Sequence, residues 1–167
     1  KAIAKRLQKL QLDTKPWLKQ DPAVMHQLYE ESRGVTGLAV YMNHYGGYPV
    51  VKNTHVKYFP LGDDMYPVLL RELRKAKRYI FMEFFIIDRG EMWGEILKVL
   101  EEKAKSGVEV RVMYDGMCCL ALLPYRYPAQ LEKKGIRCKM FSPVRPVLSS
   151  YQNNRDHRKV VVIDGLT

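Results

Sequence analysis

The fold turns on the run from residue 79 to residue 114, YIFMEFFIIDRGEMWGEILKVLEEKAKSGVEVRVMY. Tyr79 to Ile87 is apolar and β-prone except at Glu83, so it reads as a strand. From about Glu91 to Ser106, Trp93, Ile96, Leu97, Leu100 and Ala104 fall on one helical stripe, and Gly107 supplies the C-terminal stop. Val108 to Tyr114 is the next strand. A short helix from Pro128 to Lys134, ended by Gly135, then leads to a further strand, Ile136 to Phe141. Before the run, Asp63 or Asp64 can cap a helix lasting to about Ala76. Strands alternating with helices of this length predict the α/β class, with a mixed, largely parallel β-sheet flanked by helices on both faces.

Outside that block the pattern weakens. Ile3, Leu7 and Leu10 have helical spacing in a Lys-rich start, and Asp21 can cap a second helix with Pro22 in its first turn and Gly34 as its stop. Val35 to Pro49 reads as loop and Val50 to Phe59 as a strand. Residues 1–49 are therefore expected to form a basic helical and loop segment, and residues 50–167 the α/β domain. Ser142 to Asp156, with Pro143 and Pro146, reads as a loop that delivers the chain to Val160-Val161-Val162-Ile163, a uniformly apolar run expected to be a strand buried on both sides.

Composition narrows the function. The 167 residues, 47% apolar, suffice for one core without disulfide or metal. The longest apolar stretches fall well short of a membrane span. The N-terminus has no signal-peptide centre and no initiating Met, and it reads as the start of an excised piece. Cys118, Cys119 and Cys138 have neither an even framework nor ligand spacing and are expected to be reduced core thiols. Net charge is +10, concentrated at the ends: residues 61–115 are balanced, whereas residues 116–167 hold nine Lys and Arg against three Asp and Glu. An anionic partner fits that asymmetry, and so does a solvated surface around Lys133, Lys134 and Lys139.

The chemistry concentrates in Arg155-Asp156-His157-Arg158-Lys159-Val160-Val161-Val162-Ile163-Asp164-Gly165, which contains H-x-K-x-x-x-x-D. On a strand, His157 and Lys159 project to the same side and Asp164 to the other. Neutral imidazole is a good nucleophile toward phosphorus, and a nearby ammonium neutralises charge building on phosphoryl oxygens. The pair suits phosphoryl transfer through a phosphohistidine, with no cofactor and no metal. A zinc site fits less well, because His26, His44 and His55 lie in unrelated segments without ligand spacing. Asp164 is given an orienting or structural part. Glu83, in an apolar strand, needs a partner. Two readings stay open for it: it turns toward the His157 side and orients the imidazole, or it reaches water at an edge. Asp115 before Gly116 reads as a turn residue, and Met92 and Trp93 as core.

These residues resemble the phospholipase D superfamily, whose signature is H-x-K-x-x-x-x-D, and more closely its bacterial cardiolipin synthases. Besides residues 155–165, the likeness rests on Tyr79 to Ile87, on Gly107 to Gly116 (GVEVRVMYDG) and on Leu131 to Pro143 (LEKKGIRCKMFSP). It runs from about Lys52 to Gly165. It implies a phospholipase D-like half-domain that stops just after its first motif, with catalytic roles for His157, Lys159 and Asp164 and a possible supporting role for Glu83. The implied reaction passes a phosphatidyl group from one phosphatidylglycerol to another with release of glycerol, without cofactor. The partners implied are anionic phospholipid, a membrane surface and a second motif-bearing half of the same chain, and no nucleic acid is expected. The likeness also implies a cell-membrane location for the full-length bacterial protein, a soluble fragment for these residues, little turnover by the fragment alone, and self-association through the uncovered face. The competing readings are a single-motif phosphodiesterase or nuclease of the same superfamily, working as a dimer, and a non-catalytic module that binds anionic lipid.

Overall fold

In the computed structural model, residues 2–143 and 155–166 are described. Most of the expected loop between Ser142 and Asp156 lies outside the described residues. The chain divides into two compact units, residues 1–58 and 59–167.

In the first unit, helix α1 (Ala2–Thr14) is followed by a 3-10 turn at Lys15–Leu18, then α2 (Pro22–Glu31) and α3 (Arg33–Tyr41), which runs into a π-helical turn, Met42–Gly46. Asp21 caps α2 as expected, its Oδ1 accepting from the Ala23 N–H at 2.8 Å. The stop differs. Ser32, not Gly34, closes α2, its N–H donating to the Leu28 carbonyl, and its side chain then accepts from Val35 to open α3. Gly34 therefore sits inside a helix, and most of the expected loop from Val35 onward is helical. The Gln20 side chain ties the end of the unit to its start by donating to the Val50 carbonyl and accepting from the Val50 N–H and the Asn43 amide. Val50 to Phe59 forms no strand. Val51, Val56 and Tyr58 are exposed, and β-prone residues without a neighbouring ladder leave the backbone to solvent.

The second unit holds α4 (Gly62–Lys75), β1 (Tyr79–Phe84), α5 (Glu91–Lys105), β2 (Glu109–Asp115), α6 (Tyr127–Glu132), β3 (Arg137–Phe141) and β4 (Lys159–Ile163). Asp63 and Asp64 lie in the first turn of α4, where they favour the helix dipole, while Leu61 occupies the cap position. The α5 stripe is buried at Trp93, Ile96, Val99 and Leu100, and Gly107 takes φ 89° to turn the chain into β2. Met92 is exposed, contrary to the core reading, because its neighbour Trp93 takes the inward direction.

The sheet is mixed and largely parallel. β1 pairs in parallel with β2 and β2 with β3, whereas β4 runs antiparallel to β1 at the other edge, giving the order β3-β2-β1-β4. One face carries Ile80, Met82, Val110, Val112, Cys138 and Ile163, buried with Leu73, Leu100, Leu131 and Ile136 from the helical layer and its connections. Each fully buried Leu or Ile there contributes about 1.5–3 kcal/mol. The α/β class is as expected, but among the described residues of this unit the helices lie on that face alone. The opposite face, with Phe81, Met113, Val160 and Val162, borders a groove of about 680 Å³. The apolar run at residues 160–163 is accordingly an edge strand with one open side: Val160 is 42% exposed and Ile163 is buried. An apolar run reports strand propensity and cannot by itself tell an inner strand from an edge.

Candidate functional site

Parallel strands end together, and the carboxyl ends of β1 and β2 place Phe84, Phe85 and Asp115 on one rim of the sheet. Because β4 runs the other way, its first residue, Lys159, opposes Phe84 on that same rim. In α/β sheets this is the edge at which ligands gather.

His157 stands just ahead of β4, in irregular backbone, and is exposed. Its ring lies 4.6 Å from the Phe85 ring, centroid to centroid. Lys159 extends to the same ring, with Nζ 5.0 Å from the centroid, and donates to the His157 carbonyl at 2.9 Å. The two motif residues thus meet on a shared aromatic platform. Lys159 belongs to the ladder and His157 does not, so Phe85 supplies the convergence that strand parity alone was expected to give.

Behind them is a buried clasp that sequence reading missed. Asp115 is fully buried. Its Oδ1 accepts from the Met117 and Cys118 N–H groups at 3.0 Å and from Arg155 at 3.1 Å, and its Oδ2 accepts from the Asp156 N–H at 3.1 Å. It is a turn residue, as its sequence suggested, and also the anchor of the motif loop. Burial opposes its ionisation, but the N–H groups of Cys118 and Asp156, with Arg155, outweigh that and hold the carboxyl below its ordinary value. The signal available in the sequence was Asp-Gly closing an apolar strand; its partners Arg155 and Asp156 lie about 40 residues further on.

Asp156 is buried as well and accepts from Arg158 Nε at 3.0 Å. Arg158 also meets Glu83 Oε1 at 2.6 Å. Burial and the acidic neighbour Asp156 push the Glu83 carboxyl up, with Arg158 pulling the other way. For Asp156 burial acts in the same upward direction, but Glu83 and Arg158 prevail and hold it down. Glu83 is therefore the carboxyl of this pair that keeps a proton more readily. It is engaged with Arg158 and Asp156, and neither a reach to water at an edge nor a contact with the imidazole describes it among the contacts of the described residues.

Asp164 lies at the far end of β4, apart from His157 and Lys159. Its carboxylate accepts from the backbone N–H groups of Lys77, Arg78 and Tyr79 at 2.8, 2.8 and 2.9 Å. The Tyr79 and Lys77 N–H groups hold its pKa below the ordinary value. This latches the end of β4 to the start of β1 and so fixes where Lys159 falls opposite Phe84. The three cysteines are free thiols; Cys119 and Cys138 are buried and Cys118 is partly exposed. Burial pushes the Cys138 thiol up to about 12, which leaves it unreactive. No described helix is long and apolar enough to cross a membrane.

Fold and site together define an α/β domain that presents a histidine and a lysine, backed by a buried acidic anchor, at the ligand-gathering edge of a mixed sheet. The sequence is similar to cardiolipin synthases over most of its length. It is 37% identical to a cardiolipin synthase of a Geobacillus species over 121 residues, 72% of this chain and 24% of that protein. It is 32% identical to cardiolipin synthase A of Pseudomonas syringae over 157 residues, 93% of this chain and 31% of that protein. An uncharacterized protein of Streptococcus mutans is 49% identical over 151 residues, 90% of this chain and 33% of that protein. The chain thus spans about a quarter to a third of the length of these curated relatives. No family model matches it.

Proposed function

We propose that these residues are the first catalytic half of a phosphatidyltransferase of the cardiolipin synthase kind, using a phosphohistidine. The observation that carries this reading is the convergence of His157 and Lys159 on Phe85 at the rim of the sheet. In the first step a ring nitrogen of His157 bonds to phosphorus of one phosphatidylglycerol, and the bond from phosphorus to the head-group glycerol oxygen breaks. Glycerol leaves after taking a proton from the histidine of a second motif, carried by a half beyond these residues. In the second step a head-group hydroxyl of another phosphatidylglycerol attacks phosphorus, returns a proton to that histidine and breaks the nitrogen–phosphorus bond. Cardiolipin and free His157 result.

Lys159 lies where its ammonium can meet phosphoryl oxygens as charge develops, the use to which a preorganised cation is best suited. Asp115 and Arg155 hold the loop that carries the nucleophile, and Asp164 holds the strand behind it. Phosphodiester exchange conserves bond type, so it needs no external energy source and no redox cofactor. The similarity to cardiolipin synthases supports the lipid substrate over a nucleic acid, and it supports a membrane surface as the place of work.

The test uses the protein at the length of its relatives, supplied with labelled phosphatidylglycerol in vesicles and with chelator present. Cardiolipin and glycerol appearing in equal amounts support the reading. Hydrolysis of DNA with no lipid product would replace it with the nuclease reading, and salt-sensitive vesicle binding without turnover would replace it with that of a binding module.

A further inference from the structure

Helix α3 of the first unit presents its side chains in the reverse of the usual order. Thr36 and Ala39 are its buried residues, whereas Val35, Leu38, Tyr41, Met42 and Tyr45, on α3 and the π-helical turn that continues it, are exposed. Their spacing of three, three, one and three residues keeps them on one side of the helix, in a stripe about 15 Å long. Leu38 is 62% exposed and Tyr45 74%. The Tyr41 and Tyr45 rings lie 4.8 Å apart, centroid to centroid, and Tyr48 folds back over Gly46, where a Cβ would meet its ring at 2.5 Å. The Gln20 side chain accepts from the Asn43 amide, so the turn just before it, with exposed Trp17 and Leu18, adjoins the same end of the helix.

A helix ordinarily turns its large apolar side chains toward the core, and a continuous apolar patch left outside marks an interaction surface. Two features select what it meets. Tyr and Trp join an apolar body to a polar tip and are enriched where hydrocarbon meets water, while Val, Leu and Met supply plain apolar area. Charge is the second feature. Residues 32–58 contain no Asp or Glu, against Arg33, Lys52 and Lys57, and the whole unit holds nine Lys and Arg against four Asp and Glu. Basic residues close to an anionic leaflet are attracted to it, and an apolar helix face in a basic setting suits the boundary between head groups and acyl chains.

We propose that the stripe from Val35 to Tyr45 seats the first unit on the surface of an anionic lipid bilayer. The contact is interfacial: the apolar side chains enter the head-group boundary, the tyrosine hydroxyls stay at the wet side, and the cations meet lipid phosphates. The inference goes beyond the phosphatidyl-transfer reading and stands on the first unit alone.

Vesicle binding by the 167-residue chain tests it. Phosphatidylserine in phosphatidylcholine supplies the anionic surface, so the substrate of the proposed transfer is absent. Binding should be at least about tenfold tighter than to phosphatidylcholine alone, and equal binding to both would overturn the proposal. Leu38→Ser combined with Met42→Ser and Tyr45→Ser should weaken binding by at least about tenfold. Val40→Ser is the control, since Val40 is 52% exposed on the same helix but lies off the stripe. It should change binding by less than about twofold, and equal losses in the two variants, or none in the triple one, would overturn the proposal. Single probes guard against misfolding of the triple variant. The added emission of Leu38→Trp should be quenched by lipids brominated in the acyl chain and that of Val40→Trp should not; equal quenching at the two positions would also overturn it. A dimer in solution that the triple variant dissolves, with no vesicle binding, would put a second copy on the stripe instead. Stripe-dependent binding by a relative-length protein that transfers no phosphatidyl group would support this proposal and overturn the transfer reading.

Discussion

Removing the Asp115 carboxylate is expected to loosen the motif loop and cost a large share of the domain's stability. Asp115 is fully buried, and the Arg155 side chain it meets is 16% exposed, so truncation leaves a guanidinium and three backbone N–H groups without their acceptor. Breaking a buried ion pair from one side costs about 3–5 kcal/mol, against about 5–15 kcal/mol for a whole domain. Asp115→Ala should lose that amount in urea unfolding at pH 7. Asp115→Asn keeps one acceptor oxygen and gives up the charge, so a smaller loss of about 1.5–3 kcal/mol is expected. The pH dependence adds a second signature. The folded carboxyl lies below its ordinary value, so its stabilisation is present above the unfolded carboxylate pKa and fades as pH falls through the lower folded value. The gap between wild type and Asp115→Asn should therefore narrow below about pH 4. Asp115→Ala within about 1 kcal/mol of wild type, or a gap equal at pH 7 and pH 3, would refute the anchoring argument.

Other substitutions probe the rest of the site. The Glu83 carboxyl is pushed up in the folded state, so wild type should lose stability relative to Glu83→Gln as pH rises from the unfolded carboxylate range through that raised value; parallel melting curves with no change in separation would contradict this. Lys159→Ala should lower turnover of the relative-length protein by about a hundredfold to a thousandfold, with Lys159→Arg recovering part; turnover unchanged in both would remove the ammonium from the reaction. Asp164→Ala loses three bonds to the start of β1, and the left-handed conformation there further disfavours Ala. Its melting temperature should fall by more than that of Asp164→Asn, which keeps an acceptor and tolerates positive φ, and equal melting temperatures would count against the latch.

The legible parts of the fold were those set by local pattern. Periodicity placed α5 and the first three strands within a few residues, and Asp21 with Pro22 marked the start of α2, because these signals sit within a turn or two of the residues they specify. Partner choice was not legible. The apolar run at residues 160–163 proved to be an antiparallel edge strand, and Val50 to Phe59, equally β-prone, found no ladder at all. Both outcomes depend on residues far away in sequence. At the site, His157 and Lys159 stood out because their chemistry is unusual at that spacing. Asp115 did not, because an Asp before Gly at a strand end is common, and its role arises from Arg155 and Asp156 folding back onto it across 40 residues. Glu83 was recognised as needing a partner, and the two readings left open for it named neither Arg158 nor Asp156.

The proposed mechanism requires His157 to become covalently linked to phosphorus. The direct measurement is to incubate the relative-length protein with phosphatidylglycerol labelled at phosphorus, with chelator present, quench in alkali, and assay acid-labile label on the peptide spanning residues 155–159. Alkali-stable, acid-labile label on His157, lost in His157→Ala while folding is retained, is the expected result. Turnover with no label on that peptide, or label that persists in His157→Ala, would contradict it.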